Sequence, residues 1–87
     1  MQPIRKVLLR RHLKRELREG DLSPAREADV RDVLANPHAL KALLARVAAH
    51  GEEKKLKAIG DGKLLQWLWD HRAEILAFIQ EIMKLFA

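Results

Sequence analysis

The sequence predicts an all-α fold: a small four-helix domain whose long amphipathic C-terminal helix joins copies of the chain into an oligomeric bundle. Three observations predict it. Leu, Ala, Arg, Lys and Glu dominate, β-branched residues are few and Tyr is absent, a composition that favours helices over sheets. Ser23-Pro24 and Asn36-Pro37 each join a capping residue to a proline at a first helical position. The last 24 residues, LLQWLWDHRAEILAFIQEIMKLFA, place large apolar side chains at helical spacing.

Pro3 and Gly20 bracket the first helix, about residues 3–19, with Gly20 suited to the left-handed residue beyond its end. Leu9, Leu13 and Leu17 recur at i, i+4 and i+8 and form its apolar stripe, while Ile4, Val7 and Leu8 lie at another azimuth. The segment 23–50 is a capped helical hairpin. Its first helix runs about 24–35 on Val30, Val33 and Leu34, and its second about 37–50 on Leu40, Leu43, Leu44, Val47 and Ala48, stopped by Gly51. Residues 51–62 are charged, end in Gly60-Asp61-Gly62, and form a linker. The last helix fills about 63–87. Unbroken, it would be roughly 36 Å long, longer than a compact domain of this size is wide.

Leu17, Gly20, Leu22, Ser23, Val33 and Leu34 give the segment LKRELREGDLSPAREADVRDVLA a pattern that resembles the short helix-glycine-[Ile/Leu]-[Ser/Thr]-helix hairpin at the ends of many bacterial proteins. The resemblance covers a quarter of the chain and implies a helical hairpin, with no activity attached.

On the last helix the large apolar side chains sweep an arc of about 200°, where a helix on a globular core needs little more than 100°. Trp67, Phe78 and Leu85 line one edge of the arc, Trp69 and Leu76 the other. One edge suffices for the helix's own domain, so the expected oligomer interface comprises Trp67, Leu68, Trp69, Ile75, Phe78, Ile79, Ile82, Leu85 and Phe86. Two alternatives stand beside this: the other three helices wrap the whole arc, or the helix lies on a membrane. Asp70, Glu74 and Glu81 outnumber Arg72 and Lys84 on the polar face, which favours a protein partner over an anionic bilayer. A buried Arg72 needs a carboxylate, for which Glu27, Asp29 and Asp32 are the candidates; otherwise His71-Arg72 marks where the face emerges into solvent.

The net charge of +5 is unevenly spread. Residues 1–18 hold seven Lys/Arg against Glu16 alone, and the remainder is nearly neutral. Arg10, Arg11, Lys14, Arg15 and Arg18 leave the first helix opposite its leucine stripe and are the expected polyanion-binding residues. Such a face can track phosphates. It carries no aromatic for stacking and no base-reading Asn or Gln, so nucleic-acid binding through it should tolerate any sequence. A merely solvated charged face is the competing reading. The tight Ala35-Asn36-Pro37 junction argues against a DNA-reading helix-turn-helix.

Catalytic chemistry finds few candidates. There is no Cys or Thr, and the single serine, Ser23, is a cap. His12, His38, His50 and His71 show no metal-ligand spacing, and no cofactor or small-molecule substrate is expected. No secretory pattern opens the chain and the longest apolar run, Ile75 to Ile79, is too short to span a bilayer, which fits a cytoplasmic protein or one within a particle. The expectation is a non-enzymatic, self-assembling structural or interaction protein, such as a phage or viral particle component. The alternatives are a membrane-peripheral amphipathic protein and an adaptor docking on a different protein.

Overall fold

The helix starts with side-chain caps lie where those caps put them. In the computed structural model, which describes residues 6–51 and 59–86, Ser23 accepts a hydrogen bond from the Arg26 amide at 3.3 Å. Asn36 accepts from the His38 and Ala39 amides at 3.0 and 3.3 Å. Each cap precedes a proline that needs no amide partner at the first helical position. Among the described residues five helices follow one another: α1 (Lys6–Glu19), α2 (Pro24–Ala35), α3 (Pro37–His50), α4 (Asp61–Asp70) and α5 (Arg72–Phe86). The chain is all-α over these residues. Pro3 and Ile4 of the expected first helix, and most of the expected linker at 52–58, lie outside them.

The long last helix is the main correction: it is two helices, so the described residues hold five. His71 separates them with φ −104° and ψ 22°. Its ring explains the break. Nδ1 donates to the Trp67 carbonyl at 2.9 Å, while the His71 amide donates to the same oxygen at 3.0 Å. The ring thus shares the acceptor of the backbone amide, and a side chain that bonds back to the i−4 carbonyl bends a helix. The imidazole also stacks on the Trp67 indole, with centroids 4.2 Å apart and planes at 22°. With the helix broken into pieces of about 15 and 22 Å, α4 lies against α1 and α5 against α2 and α3. The chain measures 35 × 26 × 18 Å with a radius of gyration of 12.0 Å, about that of one packed domain of this length.

Apart from Leu85, both edges of the apolar arc are used within the same chain: Trp67 and Phe78 meet His50 of α3, Trp69 meets His12 of α1, and Leu76 packs on the core. Leu68, Ile75, Phe78, Ile79 and Ile82 are buried in one core with Leu9, Leu13, Val30, Val33, Leu40, Leu43 and Val47. Trp67 and Trp69 are half-buried. Of the nine residues expected at an oligomer interface, Leu85 and Phe86 are exposed, at 82% and 41%.

Arg72 opens α5 and does have a carboxylate, but on α1 rather than α2. Its Nε donates to Glu16 Oε1 at 2.6 Å and its Nη2 to Glu16 Oε2 at 2.8 Å. Nη2 also donates to the Gly20 carbonyl at 2.8 Å. Glu16 is fully buried, while the Arg72 side chain stays one-third exposed. The pKa of Arg72 is raised, first by its hydrogen bonds to Glu16 and against the cost of burial. Glu27 pairs instead with Arg31 of its own helix.

This clamp also explains Gly20. The left-handed residue of the α1–α2 turn is Asp21, at φ 50°, and not Gly20. Gly20 is required for space: a methyl group there would run into Glu16 Oε2, 2.6 Å from the Glu16 carbonyl oxygen and 2.8 Å from Arg72 Nη2. Gly20→Ala is therefore expected to destabilise the fold by about 1 to 3 kcal/mol, read as a lowered urea midpoint at unchanged slope.

Candidate polyanion site

Positions 11, 14, 15 and 18 fall at i, i+3, i+4 and i+7, so α1 gathers their side chains on one face. The leucines that anchor the opposite side of α1 turn this face outward, toward the seam with α4. There Arg11, Lys14, Arg15 and Arg18, with His12 and with Leu65 of α4, line a groove of about 340 Å³. Four of the five cations expected to bind a polyanion are thus together. Arg10 is exposed but does not line the groove.

Glu19 contributes negative charge beside the groove, 3.2 Å from Arg15 Nε and 3.9 Å from Arg18 Nη2. All three groups are substantially exposed, so these pairs are weak and easily exchanged for another anion. Arg15 also lies over the Trp69 indole, 3.9 Å from its centroid, and Arg72 approaches the same ring at 4.7 Å. Such cation–π contacts hold a guanidinium in place at modest energy while leaving its N–H groups available.

His12 is the residue that reading the sequence missed. It is 2% exposed, meets the edge of Trp69 at a centroid distance of 6.1 Å, and its Nε2 has no hydrogen-bond partner. The signal was a second stripe of spacing four, Leu8-His12-Glu16-Gly20, running beside the leucine stripe and interrupted by polar side chains. A lone glutamate among seven bases was the other clue, because an acid so placed is available for an internal partner such as Arg72.

Burial lowers the His12 pKa from 6.5 to about 4; Arg72 and Arg15 push the same way and Glu16 opposes them. Below pH 6.5 the unfolded ring takes up a proton that the folded ring refuses until about pH 4. Stability from this site is complete above pH 6.5 and falls progressively toward pH 4, by up to about 3 kcal/mol. His12→Leu is expected to flatten that part of the profile, as urea midpoints measured on both proteins between pH 7.5 and 4 would show.

About 200° around α4 from Trp69, a second cluster forms where α3 ends. His50 meets Phe78 at a centroid distance of 5.3 Å and His71 at 5.9 Å. The two histidines had shown no pairing along the chain, and the fold brings them together. Among the described residues no group of three or more potential ligands is placed to hold a metal ion, and no helix is long and apolar enough to cross a membrane.

A comparison of the chain with protein-family models, with curated proteins and with solved structures finds no match.

Proposed function

We propose that this chain is a non-enzymatic interaction protein that binds polyanions, nucleic acid foremost, along the seam between α1 and α4. The observation that carries this reading is the convergence of Arg11, Lys14, Arg15 and Arg18 on one groove. Neutralising phosphates with these side chains releases condensed counterions, and that release drives binding whatever the base sequence. The groove wall adds His12, one leucine and no Asn or Gln, so it lacks the amide readers of adenine, and its contacts are foremost to phosphate. A solvated face that only maintains solubility does not require four cations around one recess.

Binding to an arbitrary DNA duplex, titrated with salt, tests the proposal. Four phosphate contacts give an expected slope of log K against log salt of about −3 to −4, a loss of about a hundredfold between 50 and 200 mM. No binding at low salt would end the nucleic-acid reading.

A second reading adds self-assembly. The exposed Leu85 and Phe86 on the last turn of α5 give a second copy of the chain an apolar contact, narrower than the whole helix face. The solution mass by light scattering after nuclease treatment tests it: a multiple of the 10.0 kDa chain supports assembly, and a monomer excludes it.

A further inference from the structure

The wall of the groove between α1 and α4 contains a buried imidazole that a surface for tracking phosphodiesters does not need. His12 forms part of its wall, is 2% exposed, and its Nε2 is buried without a partner. Leaving a polar atom in this state costs stability, and a leucine at position 12 would join Leu8, Leu9 and Leu13 in the core without that cost. We propose that the groove is a pocket for a phosphate monoester, such as the 5′-phosphate ending a nucleic-acid strand, with His12 Nε2 donating to one phosphate oxygen and Arg11, Lys14 and Arg18 surrounding the others.

This assignment rests on the polyanion reading and sharpens it in three ways. The donor set is an oxyanion set: imidazole N–H, guanidinium and ammonium groups in one recess. The charge suits a monoester, because four cations line the groove and, among the described residues, Glu19 is the acid that pairs with them, through Arg15 and Arg18, and a monoester carries nearly two negative charges at neutral pH against one for a diester. Shape points the same way. A terminal phosphate can enter a recess to reach a buried nitrogen, whereas a diester is flanked by sugars on both sides. Since Nε2 is closed to solvent, a wall side chain must move aside, and Arg15 has weak, exposed contacts to exchange for a phosphate.

The test compares one single-stranded oligonucleotide with a 5′-phosphate or a 5′-hydroxyl, by fluorescence anisotropy at fixed salt, with inorganic phosphate as competitor. The phosphorylated strand is expected to bind about tenfold more tightly. His12→Leu should remove that preference while the hydroxyl strand keeps its salt-dependent affinity. Lys14→Ala, at an exposed position where folding is not at stake, should narrow the same ratio. Equal affinity of the two strands for the native protein would overturn the pocket and leave general polyanion binding standing; failure of both strands to bind would overturn both. Displacement by inorganic phosphate without any preference between strands would reassign the pocket to free phosphate and overturn the strand-end assignment.

Discussion

Replacing Arg72 by methionine is expected to destabilise the fold by about 3 kcal/mol, the lower end of the range for breaking a buried ion pair. The reason lies with Glu16, which is fully buried and would keep its carboxylate in the core with no counter-charge. The guanidinium's partial exposure lets water screen some of the pair, which is why the lower end applies. Against a total stability of roughly 4 to 13 kcal/mol for a chain of this length, the loss is severe. Arg72→Lys should recover only part of it, since an ammonium cannot span both Glu16 oxygens and the Gly20 carbonyl in the planar geometry seen. Glu16→Leu combined with Arg72→Met should recover most of the loss, because the unpaired charge is gone. Urea midpoints for the three variants measure all of this, and an unchanged midpoint for Arg72→Met would show that the clamp holds nothing.

Reversing Lys14 and Arg18 to glutamate is expected to have the largest effect on binding. Two of four phosphate contacts vanish and two repulsive charges enter the same groove, so the salt slope should fall by about 2 and affinity at 50 mM salt by about a hundredfold or more. Both side chains are exposed, and among the described residues Arg18 makes only a long contact, to Glu19. The helical content and urea midpoint should therefore stay within about 0.5 kcal/mol of the native values. Lys41→Glu with Lys84→Glu, an equal change of charge on α3 and α5, is the control: net charge alone would weaken binding equally in both, whereas a site on α1 spares the control.

What the sequence made legible was local. Ser23-Pro24 and Asn36-Pro37 fixed α2 and α3 to the residue because each cap and each proline acts through atoms a few positions away. The leucine stripe and the cation face of α1 were readable for the same reason. Most of the failures involve residues far apart in sequence, and His71 is the local exception. His71 breaks the last helix because its ring finds the Trp67 carbonyl, and a single histidine in a long apolar pattern does not announce which hydrogen bond it will make. Arg72 finds Glu16, 56 positions earlier, only once α4 packs on α1. The same break lets α5 turn its face to α2 and α3, so Leu68, Ile75 and Ile79, read as surface for another chain, enter this chain's own core. At the groove, four cations were legible from spacing, whereas His12 looked like one more polar residue on a basic helix.

The most direct measurement is a titration of isotope-labelled protein with a short DNA duplex at low salt, followed by amide and side-chain NMR shifts. The expected result is a set of perturbations centred on Arg11, His12, Lys14, Arg15, Arg18 and Leu65, fading as salt is raised, with Lys41, Arg46 and Leu85 unmoved. Perturbations centred elsewhere, or none at low salt, would contradict a polyanion site between α1 and α4.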